Sequence, residues 1–543
     1  MQAEMVKRWL ANGALIAAAL ALMGVVIWGL KRGVTSRTSS ENQTQAGNTE
    51  ETVVAAVAAG PARIGLTVGE DTTLLTGPLT KDGTVDYVAA INERFGKGVT
   101  PQNNALVALL PAMGARRGIL DNDTSYVALA GGNPKEKGCY IAWKPAGDGA
   151  DDLQRLYDEM QRRSWKPAEA PELDRWLTAN ERCVEIVREA SKLPRYWNPT
   201  FSPDGSIAKS SSGNMTLAGR QAGELLCLHA MRSLGSGNER AAWEDLIAGH
   251  RLARLFSQDW NNLGLALGEV IEMRTLAADK VLLEETTDKQ LIGAVINDLE
   301  RLAELPSETE VDRRGGIYRY PDLIQRMALA FRESVGGAVR RGSESNMWAG
   351  WNGAGRWVPE FDGMARAGNR YYAGRFAEPS YRDAAGYRAW LAELRDRDRA
   401  VSEAFNKDGG PLDAKFLAVR SNETREEYSD RQARRVVAET NGNIGTSVRR
   451  RVECDGQLQR TLAVAALRRY CLDVGKYPGT LEEAARKYLK EVPTDFWGKA
   501  LGYSLLADGG VKLESVGPLA SDREDAVERE ELIVVEVHGR SAP

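Results

Sequence analysis

His229 and His250 are the side chains best placed to do chemistry. Each sits among apolar residues, Leu225 and Leu226 for the first, Leu246 and Ile247 for the second, on stretches joined by Gly235-Ser236-Gly237-Asn238. If those stretches are helices folded back antiparallel at that turn, the two rings are offset by roughly 9 Å along the axis, and Glu224 comes level with His250. A Glu224–His250 pair could serve as a general-base dyad. A polar contact between two packed helices would use the same residues. The third histidine, His538, falls in the tail.

Other chemistry is thinly signalled. HExxH, GxSxG, Walker and dinucleotide-binding patterns do not occur in the sequence. Asp121, Asn122, Asp123 and Thr124 begin like a calcium loop but lack the Gly at position six and the Glu at position twelve, so turn chemistry explains them more simply. Trp348, Trp351 and Trp357 could stack on a carbohydrate or peptide, or pin an irregular loop to a core. Cys139, Cys183, Cys227, Cys454 and Cys471 are too scattered for a disulfide framework and no two form C-x-x-C. Cys183, Cys227 and Cys471 lie at apolar helix positions and read as small core residues.

The elements that would carry these residues are mainly helical. Apolar residues recur at helical spacing over 85–95, 104–113, 151–163, 171–190, 216–234, 239–256, 263–283, 291–305, 321–332 and 423–437. Consecutive helices with short Gly-containing links predict helical hairpins, without a repeat of fixed length. Short strands or edges are expected at 125–129 and 139–143, and a Trp- and Gly-rich irregular arm at 336–374. Near the end, a helix over 458–474 and a second over 481–489 precede a hairpin of strands at 501–506 and 511–516, turned by Asp508-Gly509-Gly510.

At the other end, residues 9–30 form a nearly unbroken apolar run between Lys7-Arg8 and Lys31-Arg32. As a helix it would be about 33 Å long, enough for a hydrocarbon core of ~30 Å. A polar tether over 31–62 follows. The sequence thus predicts a mainly α fold: an N-terminal transmembrane helix at 9–30, a helical-hairpin ectodomain at 63–450, and a small α+β module with an acidic tail at 451–543. The lipid bilayer would be a partner through Trp9 to Leu30. The expected location is the inner (cytoplasmic) membrane, single-pass, with the ectodomain on the periplasmic side. Lys and Arg total 71 against 75 Asp and Glu, a balance that argues against nucleic acid as a partner.

Two resemblances add to this. Leu467, Tyr470, Gly475, Tyr477, Pro478, Leu481, Pro493, Asp495, Trp497, Gly498, Tyr503, Ser515 and Gly517 resemble the globular part of the major pseudopilin of type II secretion systems. That resemblance covers residues 458–518 and implies a long helix leading into a small antiparallel sheet. Pseudopilins of that class bind calcium in a late acidic loop, which would make Asp522, Glu524 and Asp525 metal-ligand candidates; a solvated acidic tail is the alternative. Around 430 residues separate the module from the anchor, and the prepilin-type start is missing, so the resemblance does not extend to pseudopilin processing. Thr76-Gly77-Pro78-Leu79, Asp82 to Tyr87, Gly98-Val99-Thr100-Pro101 with Asn104, and Trp176-Leu177 with Asn180-Glu181 resemble uncharacterised bacterial single-pass envelope proteins.

The expectation is therefore a membrane-anchored, non-enzymatic interaction or structural protein of the bacterial envelope, with protein partners there. One alternative is a hydrolase-like envelope enzyme with a site between the helical body and the Trp-rich arm. Another is a secretion-machine subunit related to pseudopilins.

Overall fold

The computed structural model describes residues 65–115, 125–145, 149–202, 204–207, 211–212, 215–335, 360–375, a few positions between 389 and 403, 423–440, 444–495, 498–516 and 532–537. In chain order the helices are α1 (Tyr87–Gly96), α2 (Ala105–Met113), α3 (Ser125–Leu129), α4 (Ala150–Met160), α5 (Pro171–Ala179) and α6 (Glu181–Ser191). A two-residue ladder, β1 (Thr200–Phe201) with β2 (Ser211–Ser212), separates them from the next group. That group comprises α7 (Met215–Gly235), α8 (Glu239–Phe256), α9 (Asn262–Glu285), α10 (Lys289–Leu299), α11 (Glu308–Arg314) and α12 (Arg319–Val335). Then come α13 (Phe361–Arg375), α14 (Arg425–Thr440), α15 (Ile444–Val474) and α16 (Leu481–Tyr488), and last β3 (Gly502–Leu505), β4 (Val511–Val516) and β5 (Leu532–Val537).

The fold class is mainly helical with one small antiparallel sheet of order β3-β4-β5. Among the described residues no helix is long and apolar enough to cross a membrane, so the expected class, headed by a transmembrane helix, is corrected. The longest helices, α15 and α9, have the length to span, but Arg451, Arg460 and Arg468 interrupt the first and Glu269, Glu272 and Asp279 the second. The run at 9–30 and the tether at 31–62 lie outside the described residues.

Two compact units divide the chain. The smaller draws on the described parts of Met1–Thr73, Leu323–Gly368 and Ala400–Thr440; the larger on those of Leu74–Asp322, Asn369–Arg399 and Asn441–Pro543. In the smaller unit Asp362 accepts from the backbone N–H and hydroxyl of Thr67, at 2.8 and 2.7 Å. There Glu423 also holds the nearly buried Arg431 through two bonds of 2.6 and 2.8 Å.

The larger unit is built on α7, α8 and α9, which pack on one another, with α15 laid against α9 and α10. Side-chain caps set the starts of α8, α9 and α10: Asn238 accepts from the N–H of Ala241, Asn261 from Leu263 and Gly264, and Asp288 from Gln290 and Leu291. Gly237 supplies the positive φ of 82° needed between α7 and α8. Gly249 lets α8 approach α9 closely, since a Cβ there would sit 2.6 Å from the Thr275 hydroxyl. The apolar faces bury Leu225, Leu226, Leu228, Leu246, Leu252, Leu267, Leu282 and Leu283 in one continuous core that extends through Val464 and Leu467 of α15 to Leu513 of β4.

Several local expectations are corrected. Residues 125–129 are the short helix α3, not a strand. Residues 139–143 form an irregular strap, because Asn180 and Trp176 take its polar groups: Ile141 N–H donates to Asn180 Oδ1 at 2.8 Å, and its carbonyl accepts from Trp176 Nε1 at 2.8 Å. That same Asn180 donates to the Trp176 carbonyl at 2.9 Å and breaks the expected helix over 171–190 into α5 and α6. Part of the expected irregular arm, from Phe361 onward, is the helix α13. Residues 532–537, placed with the tail, form a third strand paired to β4 from Val516↔Leu532 to Val511↔Val537; its run of β-branched residues suits a sheet. Cys183 is not a free core thiol but is joined to Cys139, with Cα atoms 6.1 Å apart.

Candidate functional site

The interior of the larger unit holds three ionic clusters, all built on the α7–α8–α9 layer. In the first, His229 of α7 turns Nδ1 to Asp245 Oδ2 of α8 at 2.6 Å and Nε2 to Glu181 Oε1 of α6 at 3.0 Å. Arg188 of α6 donates to Asp245 Oδ1 at 2.5 Å, and Arg232 to Glu181 at 3.0 Å. Asp245 is fully buried, whereas the Glu181 side chain is 46% exposed, so this cluster runs from the core to the surface.

In the second, His250 of α8 is fully buried between Glu272 Oε2 and Asp279 Oδ2 of α9, each 2.9 Å from a ring nitrogen. Arg254 adds two bonds to Glu272, at 2.6 and 3.1 Å. Burial works against a charged ring, but Glu272 and Asp279 outweigh it and hold the His250 pKa up at about 9. Burial likewise opposes the Glu272 carboxylate, and His250 and Arg254 outweigh it, bringing its pKa down to about 2. Burial pushes Asp279 upward. The imidazolium and Arg254 thus balance two carboxylates, and both ring N–H groups are donated.

The third centres on Glu224 of α7. Its Oε1 accepts from Arg220 at 2.9 Å and from Arg274 of α9 at 2.6 Å, while Oε2 accepts from Tyr157 of α4 at 3.1 Å. Burial favours the neutral acid, but the two guanidinium groups prevail and keep Glu224 below the usual carboxylate range. Tyr157 also joins a ring cluster, 5.7 Å from Trp143 and 5.9 Å from Trp176 between centroids.

The structure therefore gives Glu224 and His250 separate partners. They are level on the hairpin but meet different faces of α9. Glu272 and Asp279 are seven residues apart, two turns, and share one face; Arg274 lies two residues from Glu272, about 200° around the helix. His250 is closed by carboxylates at both nitrogens, an arrangement that holds a proton rather than taking one from a substrate.

Trp348, Trp351, Trp357, Asp522, Glu524, Asp525, His538 and residues 121–124 lie outside the described residues. Among the described residues no group of three or more His, Cys, Asp or Glu converges as a metal site. A surface cleft of about 570 Å³ lies against α16, lined by Tyr470, Thr480, Glu482, Glu483 and Arg486.

Sequence reasoning missed Asp245, Glu272, Asp279, Glu181 and Arg188 as partners. One signal was present: acids at 272 and 279 recur at two-turn spacing and so share one face of the helix. No known protein family, characterised protein or solved structure matches the chain.

Proposed function

We propose that the chain is a non-enzymatic interaction or structural protein of the bacterial envelope, presenting the outer faces of a helical-hairpin body to protein partners. One observation carries this reading. The groups best suited to acid–base chemistry, Glu224 and His250 with Glu272 and Asp279, are bonded to one another or to arginines within the helix layer. Such networks fix helix register and orientation at some cost in stability, which suits a rigid scaffold. The Cys139–Cys183 disulfide supports an oxidising compartment as the place of action.

A second reading has its own observation. Asp245–His229 reaches the half-exposed Glu181, so a displaced Glu181 would leave Nε2 of an Asp-supported histidine near the surface, as in a hydrolytic base. The two readings separate on one experiment. The full chain is isolated under native conditions and assayed on a hydrolase substrate panel beside His229→Asn. Stable envelope partners without turnover support the first reading; turnover lost in H229N overturns it in favour of the second.

A further inference from the structure

Glu269 of α9 is set apart from the three clusters. It is fully buried, and neither carboxyl oxygen has a hydrogen-bond partner. Its own backbone carbonyl faces the Cys454 thiol of α15 at 3.7 Å, which places it in the seam where α15 lies on α9. A buried, unbonded carboxylate is among the least favourable groups a fold can hold, whereas the neutral acid costs far less. Across the seam, Arg451 bonds Asp455 through Nε at 2.7 Å, but its Nη1 is buried and has no partner either. An unsatisfied acid and an unsatisfied guanidinium nitrogen thus share one interface.

Every element packed on α9 contributes charge. From α15, Arg450, Arg451, Glu453 and Asp455 act on Glu269. From α8, His250 and Arg254 are engaged by Glu272, three residues along α9. From α7, Glu224 accepts from Arg220 of its own helix and from Arg274 of α9. From α11, Asp312 accepts from Asn262 at the start of α9. The positive charge not already consumed in bonds is therefore on the α15 side.

We propose that Glu269 is a proton-operated latch between α9 and α15. Protonated, it seats the first half of α15 against α9. When it loses its proton to solvent, the carboxylate draws the free Nη1 of Arg451, weakens the Arg451–Asp455 bond and loosens that half of α15. Burial, opposed by Arg450 and Arg451, places the titration at about pH 8. The sign follows: the folded chain holds this proton over a range where the unfolded chain has released it. Stability falls as pH rises from the ordinary glutamate range to about 8 and is constant in this respect above it.

The test compares the full chain with Glu269→Gln, which is neutral at every pH. Infrared spectra of the wild type at neutral pH should carry a protonated-carboxyl band that E269Q lacks and that bleaches on titration through pH 8. In the same proteins the unfolding constants should diverge about tenfold per pH unit below pH 8 and then run parallel; taking the ratio cancels the His250 contribution. Hydrogen exchange over residues 450–460 should quicken through that transition in the wild type and not in E269Q, after correction for intrinsic rates. In Arg451→Met the bleaching midpoint should move upward. No protonated-carboxyl difference at neutral pH, or a ratio that does not change with pH, overturns the proposal. The wild-type infrared titration decides the matter even if a variant fails to fold.

Discussion

His250 illustrates how a residue that looks catalytic can be structural. Its two ring nitrogens are 2.9 Å from two carboxylates, so truncation would leave Glu272 and Asp279 facing each other in a dry site. His250→Ala should lower stability by about 3–5 kcal/mol, the cost of stranding buried charge, measured by urea unfolding. The histidine pKa is raised from 6.5 to about 9, so its contribution is complete below about pH 6.5 and is lost as pH climbs to about 9. Glu272 behaves oppositely, being depressed to about 2: its contribution is present above the ordinary glutamate range and lost as pH falls toward 2. A wild-type urea midpoint that does not fall between neutral pH and pH 9 would contradict this assignment. The sequence pointed to the histidines through their apolar neighbours, but not to their partners. Glu224 is level with His250, yet which face of α9 each meets depends on how three helices are rotated in contact, and periodicity within one helix does not carry that.

At the level of elements, one arginine clamps α15 to the end of α9. Arg468 of α15 is completely buried and donates Nε to the Leu283 carbonyl at 2.9 Å and Nη2 to the Thr286 carbonyl at 3.0 Å. It thereby satisfies carbonyls at the C-terminal end of α9, where a cation also meets the negative end of the helix dipole. Arg468→Met should cost about 2–3 kcal/mol by leaving these acceptors unpaired, read by denaturant midpoint, with faster exchange at residues 282–288. A loss below half a kcal/mol would show the clamp to be dispensable. Much of this level was legible beforehand. α7, α8 and α9 begin and end within two residues of the stretches set by apolar spacing and the Gly235–Asn238 link. The break at Asn180 was not, because it depends on the strap at Ile141, far away in sequence. The strand β5 was hidden for a similar reason: its partner is β4 across a long connection, and Leu532–Val537 alone reads as a short apolar run in a charged tail.

At the scale of the whole molecule, the C-terminal sheet and the α7–α8–α9 layer belong to one compact unit, with a core running from Leu225 to Leu513. Arg460 of α15 reaches the Ser515 hydroxyl of β4 at 3.0 Å, and Tyr503 of β3 donates to the Pro478 carbonyl at 2.7 Å. The sheet should therefore not melt ahead of the helices: exchange protection of 502–505 and 511–516 should collapse with that of α7 and α9 along a denaturant series. An early, separate loss at the sheet would contradict a shared core. A body of this kind, with three ionic clusters bonded within its helix layer, is suited to holding a surface in place for a partner. The proposed role is tested most directly by native mass spectrometry of the full chain isolated from its native cells. The expected result is a discrete complex with a partner in fixed stoichiometry, and no turnover on a hydrolase panel. A lone chain that turns over a substrate, with activity lost in H229N, would contradict it.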